Sequence, residues 1–170
     1  GFEVNHVFPY IGEKMMVLNA RKIEQPAIKE KRILLAIEDL TEHIQAKRLL
    51  AERELWFRDM ANNAPVMIWT ADSNGNSTFF NKTWLEFTGK TLEEEIGMEW
   101  MKDINPVDRE HFRKIYTEAF ENEEPYQAEY RLMRHDGEFR WMLSVAKPFY
   151  DINKNFLGYI GTVTEIHDQR

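Results

Sequence analysis

Residues 2–8 alternate large apolar and polar side chains, the two-residue period of a half-buried strand. Pro9 to Glu13 reads as a turn, and Lys14 to Ile23 as a second strand with Met16, Leu18 and Ala20 on one face. Residues 24–31 are polar, contain Pro26 and predict a loop; Ile33 to Glu38 is a short, almost wholly apolar third strand. The period then changes. Residues 40–60 hold no Gly or Pro and are rich in strong helix formers. Leu40, Ile44, Leu49, Leu50, Leu55, Trp56, Phe57 and Met60 recur at helical spacing, which predicts a connecting helix of about six turns, on the order of 30 Å. Asp39 or Thr41 can cap its start, and residues 62–65 end it. Lys47 and Glu54 fall where a coiled-coil seam needs apolar residues, so the stripe is not a clean heptad.

Strand signals return at Val66 to Ala71 and Ser77 to Phe80, joined by a turn over residues 72–76. Three short helical segments follow: Lys82 to Phe87 stopped at Gly89, a capping box at Thr91 to Glu94 closed by Gly97, and a turn over Trp100 to Ile104. A longer helix, Arg109 to Glu121, places Phe112, Ile115, Tyr116 and Ala119 on one face. The strongest hairpin signal is Asp136-Gly137, between strands starting at Gln127 and running to about Phe149; Tyr130 and Leu132 before the turn, and Phe139, Trp141 and Leu143 after it, are expected on the apolar face. Residues 151–155 turn the chain into a last strand, Phe156 to Glu165. Strands and helices are grouped, which predicts an α+β fold with a mostly antiparallel sheet and helices on one face.

Composition narrows the chemistry. The chain has no Cys, which removes disulfides, thiolate catalysis, Cys-ligated zinc and a thiol–flavin adduct, and fits a reducing, cytoplasmic setting. Aromatic residues make up 13%, enough to build a core on large rings. The net charge of −7 falls entirely in residues 61–170, with no Lys/Arg stripe, which argues against nucleic acid and anionic membrane as partners. No apolar run spans a bilayer, no secretory signal is visible, and an opening on Gly1 suggests a piece of a longer polypeptide. Glu93 to Glu95 and Glu123-Glu124 read as helix-terminus and solvated charges, and no Gly-rich phosphate loop or catalytic constellation is present, so no enzyme is expected within these residues. None of the five histidines forms the close pair of a helical metal site.

The three-strand pattern occurs twice. Residues 2–6 align with 128–132, Gly12 to Ala20 with Gly137 to Val145 after one residue of slack at the first turn, and Leu35 to Thr41 with Gly161 to His167. Each copy ends on a carboxylate, Asp39 and Glu165. Residues 63–170 resemble a PAS domain with its C-terminal PAC half. The resemblance rests on the ordered set of residues 64–75, Phe80-Asn81, residues 87–97, the block 105–110, residues 129–141 around Asp136-Gly137, and residues 158–166. Residues 1–38 are similar to the last three strands of a preceding PAS domain, and residues 39–62 form the connecting helix. The resemblance implies a five-stranded antiparallel sheet with helices over one face, plus the partial three-stranded sheet. It also implies a sensory module that binds a small ligand or dimerises, and that relays a conformational change to an output domain such as a histidine kinase in the same polypeptide. Glu165 departs from the Asp usual at this junction.

The implied pocket draws on Trp69, Phe79, Trp84, Phe87, Trp100, Phe112, Tyr116, Tyr130 and Trp141. These rings either fill the core or line a cavity for an apolar or aromatic ligand; a heme- or flavin-type sensor, or a filled-core dimerisation module, are the alternatives. His111 reads as an ordinary polar residue in a helix's first turn beside Asp108, Arg109 and Glu110, with no metal expected; the resemblance adds only a minor alternative, since oxygen sensors of the family carry a heme ligand near this position. Asp39, Thr41, Arg140 and Glu165 are the candidate relay residues: either simple helix caps, or ties between sheet and helix, Arg140 pairing with Glu165.

Overall fold

A computed structural model describes residues 1–23 and 32–166; the loop expected over 24–31 lies outside the described residues. Along the chain come β1 (Phe2–Phe8), β2 (Gly12–Ile23), β3 (Arg32–Asp39), α1 (Thr41–Asn63), β4 (Met67–Asp72), β5 (Ser77–Phe80), α2 (Lys82–Thr88), α3 (Leu92–Glu95) and a 3-10 turn (Glu99–Asp103). Then follow α4 (Pro106–Asn122), β6 (Tyr126–Met133), β7 (Phe139–Tyr150) and β8 (Phe156–Glu165). The fold is α+β, with a three-stranded sheet in the order β1-β2-β3 and a five-stranded sheet in the order β5-β4-β8-β7-β6, all pairs antiparallel. The chain divides into two compact units, with the boundary between Trp56 and Phe57 inside α1. Among the described residues no helix is long and apolar enough to cross a membrane.

Local chemistry explains the helix limits. Asn81 caps α2, its side chain accepting from Trp84 N–H, and Gly89 closes it in the left-handed conformation at φ 72°. Helix α4 starts earlier than its apolar spacing suggested. Asn105 accepts from Val107 N–H, and Pro106 sits in the first turn, where its missing N–H costs nothing.

In the second unit the sheet turns one face to α2–α4. That face carries Met67, Trp69 and Ala71 of β4, Tyr126, Ala128, Tyr130 and Leu132 of β6, Met142 and Ala146 of β7, and Tyr159 and Val163 of β8, all buried. One expectation is corrected here. Tyr130 lies opposite Met142, so the inner face of β7 holds Met142, Ser144 and Ala146, while Trp141 and Leu143 stand on the outer face, only half-buried. Alternation shows that a strand has two faces; the cross-strand partner decides which one turns inward.

The repeat is tighter than the sequence alignment implied. Phe2 pairs with Leu18 as Ala128 pairs with Ser144, and Val7 with Glu13 as Met133 with Phe139. Leu18 pairs with Ile37 as Ser144 with Val163, and Ile23 with Arg32 as Phe149 with Gly158. A single constant shift relates all these pairs, and the slack expected at the first turn does not exist. Gly12 and Gly137 drew the alignment out of step. Both take the left-handed conformation, at φ 77° and 84°, but one position apart in turns of equal length.

Candidate functional site

The candidate residues fall in two places: the ring-packed core of the second unit and the points where each three-strand repeat ends.

Trp69, Trp84, Trp100, Phe112, Tyr116 and Tyr130 are brought together by β4, α2, the 3-10 turn, α4 and β6, all within the buried core. Trp100 stands edge-on to Trp84 at 6.1 Å and to Phe112 at 5.9 Å; Phe112 lies 4.4 Å from Tyr130. Phe80 and Tyr159 complete the cluster, at 4.5 Å from Trp84 and 4.1 Å from Phe120. The gap left among Trp69, Phe80, Trp84, Trp100, Tyr126, Tyr130 and Ser144 is too tight for a water molecule. Three residues expected at a pocket lie elsewhere. Phe79 is on the outer face of β5, opposite Thr70, with its ring 5.8 Å from Phe57 of α1. Trp141 is on the outer face of β7 with the Arg131 guanidinium 5.1 Å above its ring. Phe87 is half-buried at the margin of the core, beside a surface cleft of about 200 Å³ that also touches Pro65, Thr83 and Glu165. His111 faces solvent from α4, and the neighbouring Phe112 takes the core-facing position.

The core carries polar atoms without hydrogen-bond partners: Nε1 of Trp84 and Trp100, the Tyr126 hydroxyl and Oγ of Ser144. The Tyr126 and Ser144 hydroxyls are neighbours that do not close a good bond, and burial pushes the Tyr126 phenol well up. Glu95, at the end of α3, is fully buried with neither carboxylate oxygen bonded. Burial raises its pKa and Asp103 adds to this; the Thr88 hydroxyl, Lys90 and Trp84 pull the other way.

The exits from β3 and β8 are built alike. Asp39 lies opposite Met16 and Glu165 opposite Met142. Just beyond, Leu40 N–H donates to Met15 O and Ile166 N–H to Trp141 O, each at 2.8 Å. Lys14 and Arg140 are counterparts under the same shift, and each faces the terminal carboxylate. The side-chain contacts differ. Lys14 Nζ sits 2.9 Å from Asp39 Oδ2, while Oδ1 accepts from the N–H and hydroxyl of Thr41 at 3.0 and 2.5 Å. Thr41, buried at the start of α1, accepts in turn from Met15 N–H at 3.0 Å. The Thr41 hydroxyl, then Lys14, then the Thr41 N–H hold the Asp39 carboxyl down at about 2. Arg140 Nε stands 3.9 Å from Glu165 Oε1, and its Nη2 donates to Glu138 at 2.7 Å.

Two tying residues were not singled out by sequence reasoning. Asn81 is fully buried: its Oδ1 accepts from Ile68 and Trp84 N–H, and its Nδ2 donates to Ala61 O at 2.7 Å and Val66 O at 2.8 Å. It thereby joins the last turn of α1 to β4 and α2. The signal was present as an Asn directly before a helical segment. Asp108 holds the Arg131 guanidinium through two bonds, at 2.7 and 2.8 Å, and accepts from Arg131 N–H, fixing α4 to β6. Sequence spacing carries no sign of a pairing over that separation.

Comparison with known proteins gives this geometry a family. The family model described as PAS fold matches residues 77–163. An uncharacterized protein of Sinorhizobium fredii, y4lL, is 34% identical over 134 residues, covering 79% of this chain and 16% of that protein. The peroxide stress-activated histidine kinase mak1 of Schizosaccharomyces pombe is 29% identical over 110 residues, covering 64% of this chain and 7% of that protein. A solved PAS domain from Colwellia psychrerythraea is 25% identical, with a TM-score of 0.57 over 71% of this chain and 98% of that domain. The chain thus spans less than a fifth of the length of the two curated relatives. With a match to more than half of its residues, in a sheet-and-helix unit of the matching fold, the chain belongs to the PAS fold family.

Proposed function

We propose that this chain is a non-catalytic regulatory module of a signalling protein. It relays a conformational change through the exits of β3 and β8 to an output domain in the same polypeptide. Residues 1–38 are the closing strands of a preceding PAS domain, residues 39–62 the connecting helix, and residues 63–170 a complete PAS domain. The observation that carries the reading is the pair of exits: the same strand register and backbone bond beyond the last strand, with a cation facing a carboxylate each time. At the first exit this network reaches the first residue of α1, so a shift of β2 against β3 moves the helix start. A histidine kinase is the output best supported, by the likeness to mak1. The module works as a homodimer in the cytoplasm. In the full protein, Asp39→Ala or Glu165→Ala is expected to change output more than it changes melting temperature; equal losses of both would reduce these residues to caps.

A second reading, a small ligand in the core, is favoured by the unpartnered indole and hydroxyl groups around the gap. The tight packing of that gap favours the filled-core relay. Native mass spectrometry separates the two. The relay reading expects the polypeptide mass alone, as a dimer; a retained small-molecule mass would favour the ligand.

A further inference from the structure

The end of α3 turns a charged residue inward and an apolar one outward. Glu95 is fully buried with neither carboxylate oxygen bonded, while its neighbour Ile96 is 40% exposed. Burying a carboxyl and leaving an isoleucine in water reverses the order that transfer free energies favour. The segment is held in this register from both ends. At its start Thr91 and Glu94 close a capping box, with Thr91 N–H donating to Glu94 Oε2 at 2.9 Å. Just past its end, Gly97 and Ser77 of β5 exchange two backbone bonds: Ser77 N–H donates to Gly97 O at 2.9 Å and Gly97 N–H to Ser77 O at 2.8 Å. Releasing the second hold lets the segment rotate, with Ile96 inside and Glu95 in water.

The groups around Glu95 decide when that happens. Lys90, in the loop between α2 and α3, is paired with Asp103 of the 3-10 turn at 2.5 Å, not with Glu95. Glu99 and Lys102 of the same turn pair with each other at the surface. From β6 comes the buried Tyr130 phenol, from α2 the Thr88 hydroxyl and the Trp84 indole, and β5 brings no acid or base. Glu95 therefore faces a cation already taken and a second anion, a placement that opposes its negative charge.

We infer that Glu95 is a proton-binding site that sets the position of α3. Protonated, it stays in the core. When its proton passes to solvent, the carboxylate turns outward, Ile96 takes its place and the Ser77–Gly97 bonds open. Contacts lead from there to the β8 exit. The 3-10 turn that carries Asp103 also carries Trp100, which stacks on Trp69 at 6.4 Å. Trp69 lies on Gly161 of β8, where even a Cβ would come within 2.6 Å of the indole. The proton is then the stimulus of the relay proposed above, and the inference rests on that reading for its effect on output alone. The direction follows from burial, which lifts the Glu95 carboxyl above its ordinary 4.5. The closed form is complete below pH 4.5 and opens as pH rises through the raised value.

The test is a pH titration of the 170-residue chain followed by NMR of the Trp84 and Trp100 indole N–H groups and the Ser77 and Gly97 amides. All four signals should move with one midpoint above 4.5. Amide exchange at Ser77 and Gly97, corrected for the intrinsic rate, should rise on the order of tenfold across it. Glu95→Gln, neutral at every pH, should hold all four at their low-pH positions. Lys90→Ala should raise the midpoint and Asp103→Asn lower it, since one removes the cation and the other the anion beside the carboxyl. A step that survives in Glu95→Gln overturns the inference, as does a midpoint at or below 4.5, or no step at all. In the full natural polypeptide, output should follow the same midpoint and lose its pH dependence in Glu95→Gln. The NMR step without any change in output would uphold the proton site and count against the relay.

Discussion

The β1–β3 and β6–β8 meanders have the same strand register and the same backbone exit, yet only the second has a covered face. What they share is set locally: alternating apolar positions and turns of equal length specify the pairing without help from a core. What separates them is non-local. Burial depends on whether β4 and α2–α4 are present to pack on the sheet, and the first meander has no such layer among the described residues. The energetic consequence should be large, because side chains at matched positions remove very different areas from water.

The largest difference is expected between Tyr130 and its counterpart Val4. Tyr130→Ala removes a fully buried ring from contact with Phe112 and should cost the second unit about 4 kcal/mol. Val4→Ala, half-buried on an uncovered face, should cost about 1 kcal/mol or less. Urea unfolding followed by tryptophan fluorescence reports the first, since four of the five tryptophans lie in the second unit, and hydrogen exchange of β1 and β2 reports the second. Comparable costs would mean that both faces are covered.

A smaller effect separates the two units by the sign of their pH dependence. Glu95 is buried without a bonded partner, so its carboxyl titrates above the ordinary 4.5 in the folded state. The folded unit then favours the protonated form. Its contribution is complete below pH 4.5 and is lost as pH rises through the raised value. Glu95→Gln should remove this dependence and stabilise the second unit at neutral pH by on the order of 1 kcal/mol. Stability unchanged at every pH would mean that the carboxylate is satisfied.

Asp39 works in the other direction. Its carboxyl is held at about 2 against an ordinary 3.8, so the first exit is fully tied above pH 3.8 and loosens as pH falls through about 2. Hydrogen exchange at Leu40 and Thr41 should rise over that window, and Asp39→Asn should abolish the step. Exchange independent of pH there, after correction for the intrinsic rate, would leave Asp39 without a role in the tie.

Most of the secondary structure was legible because alternation, helical spacing, Pro and Gly act over a few residues. The position of the exits was legible too, since a carboxylate is the last residue of the final strand in both copies. The misreadings have different causes. Trp141 and Phe79 were expected in the core because they are large, but the inner face of β7 holds small residues, Ser144 and Ala146, where rings from the helices and from Tyr126 and Tyr130 already fill the space, and Phe79, opposite Thr70, stands on the outer face of β5. The slack at the first turn came from matching Gly12 to Gly137 by identity, when turn length was the conserved quantity between the copies. The Asp108–Arg131 tie and the isolation of Glu95 depend on tertiary approach that no local pattern encodes.

The central comparison is tested most directly by hydrogen exchange on the isolated chain. The amides to compare are those of Ile33–Ile37 that point away from β2 and those of Tyr159–Val163 that point away from β7. The second set is bonded to β4 and should be protected to near the global stability of its unit, while the first should exchange at least about 100-fold faster. Equal protection of the two sets would contradict the claim that one copy of the unit is closed and the other open.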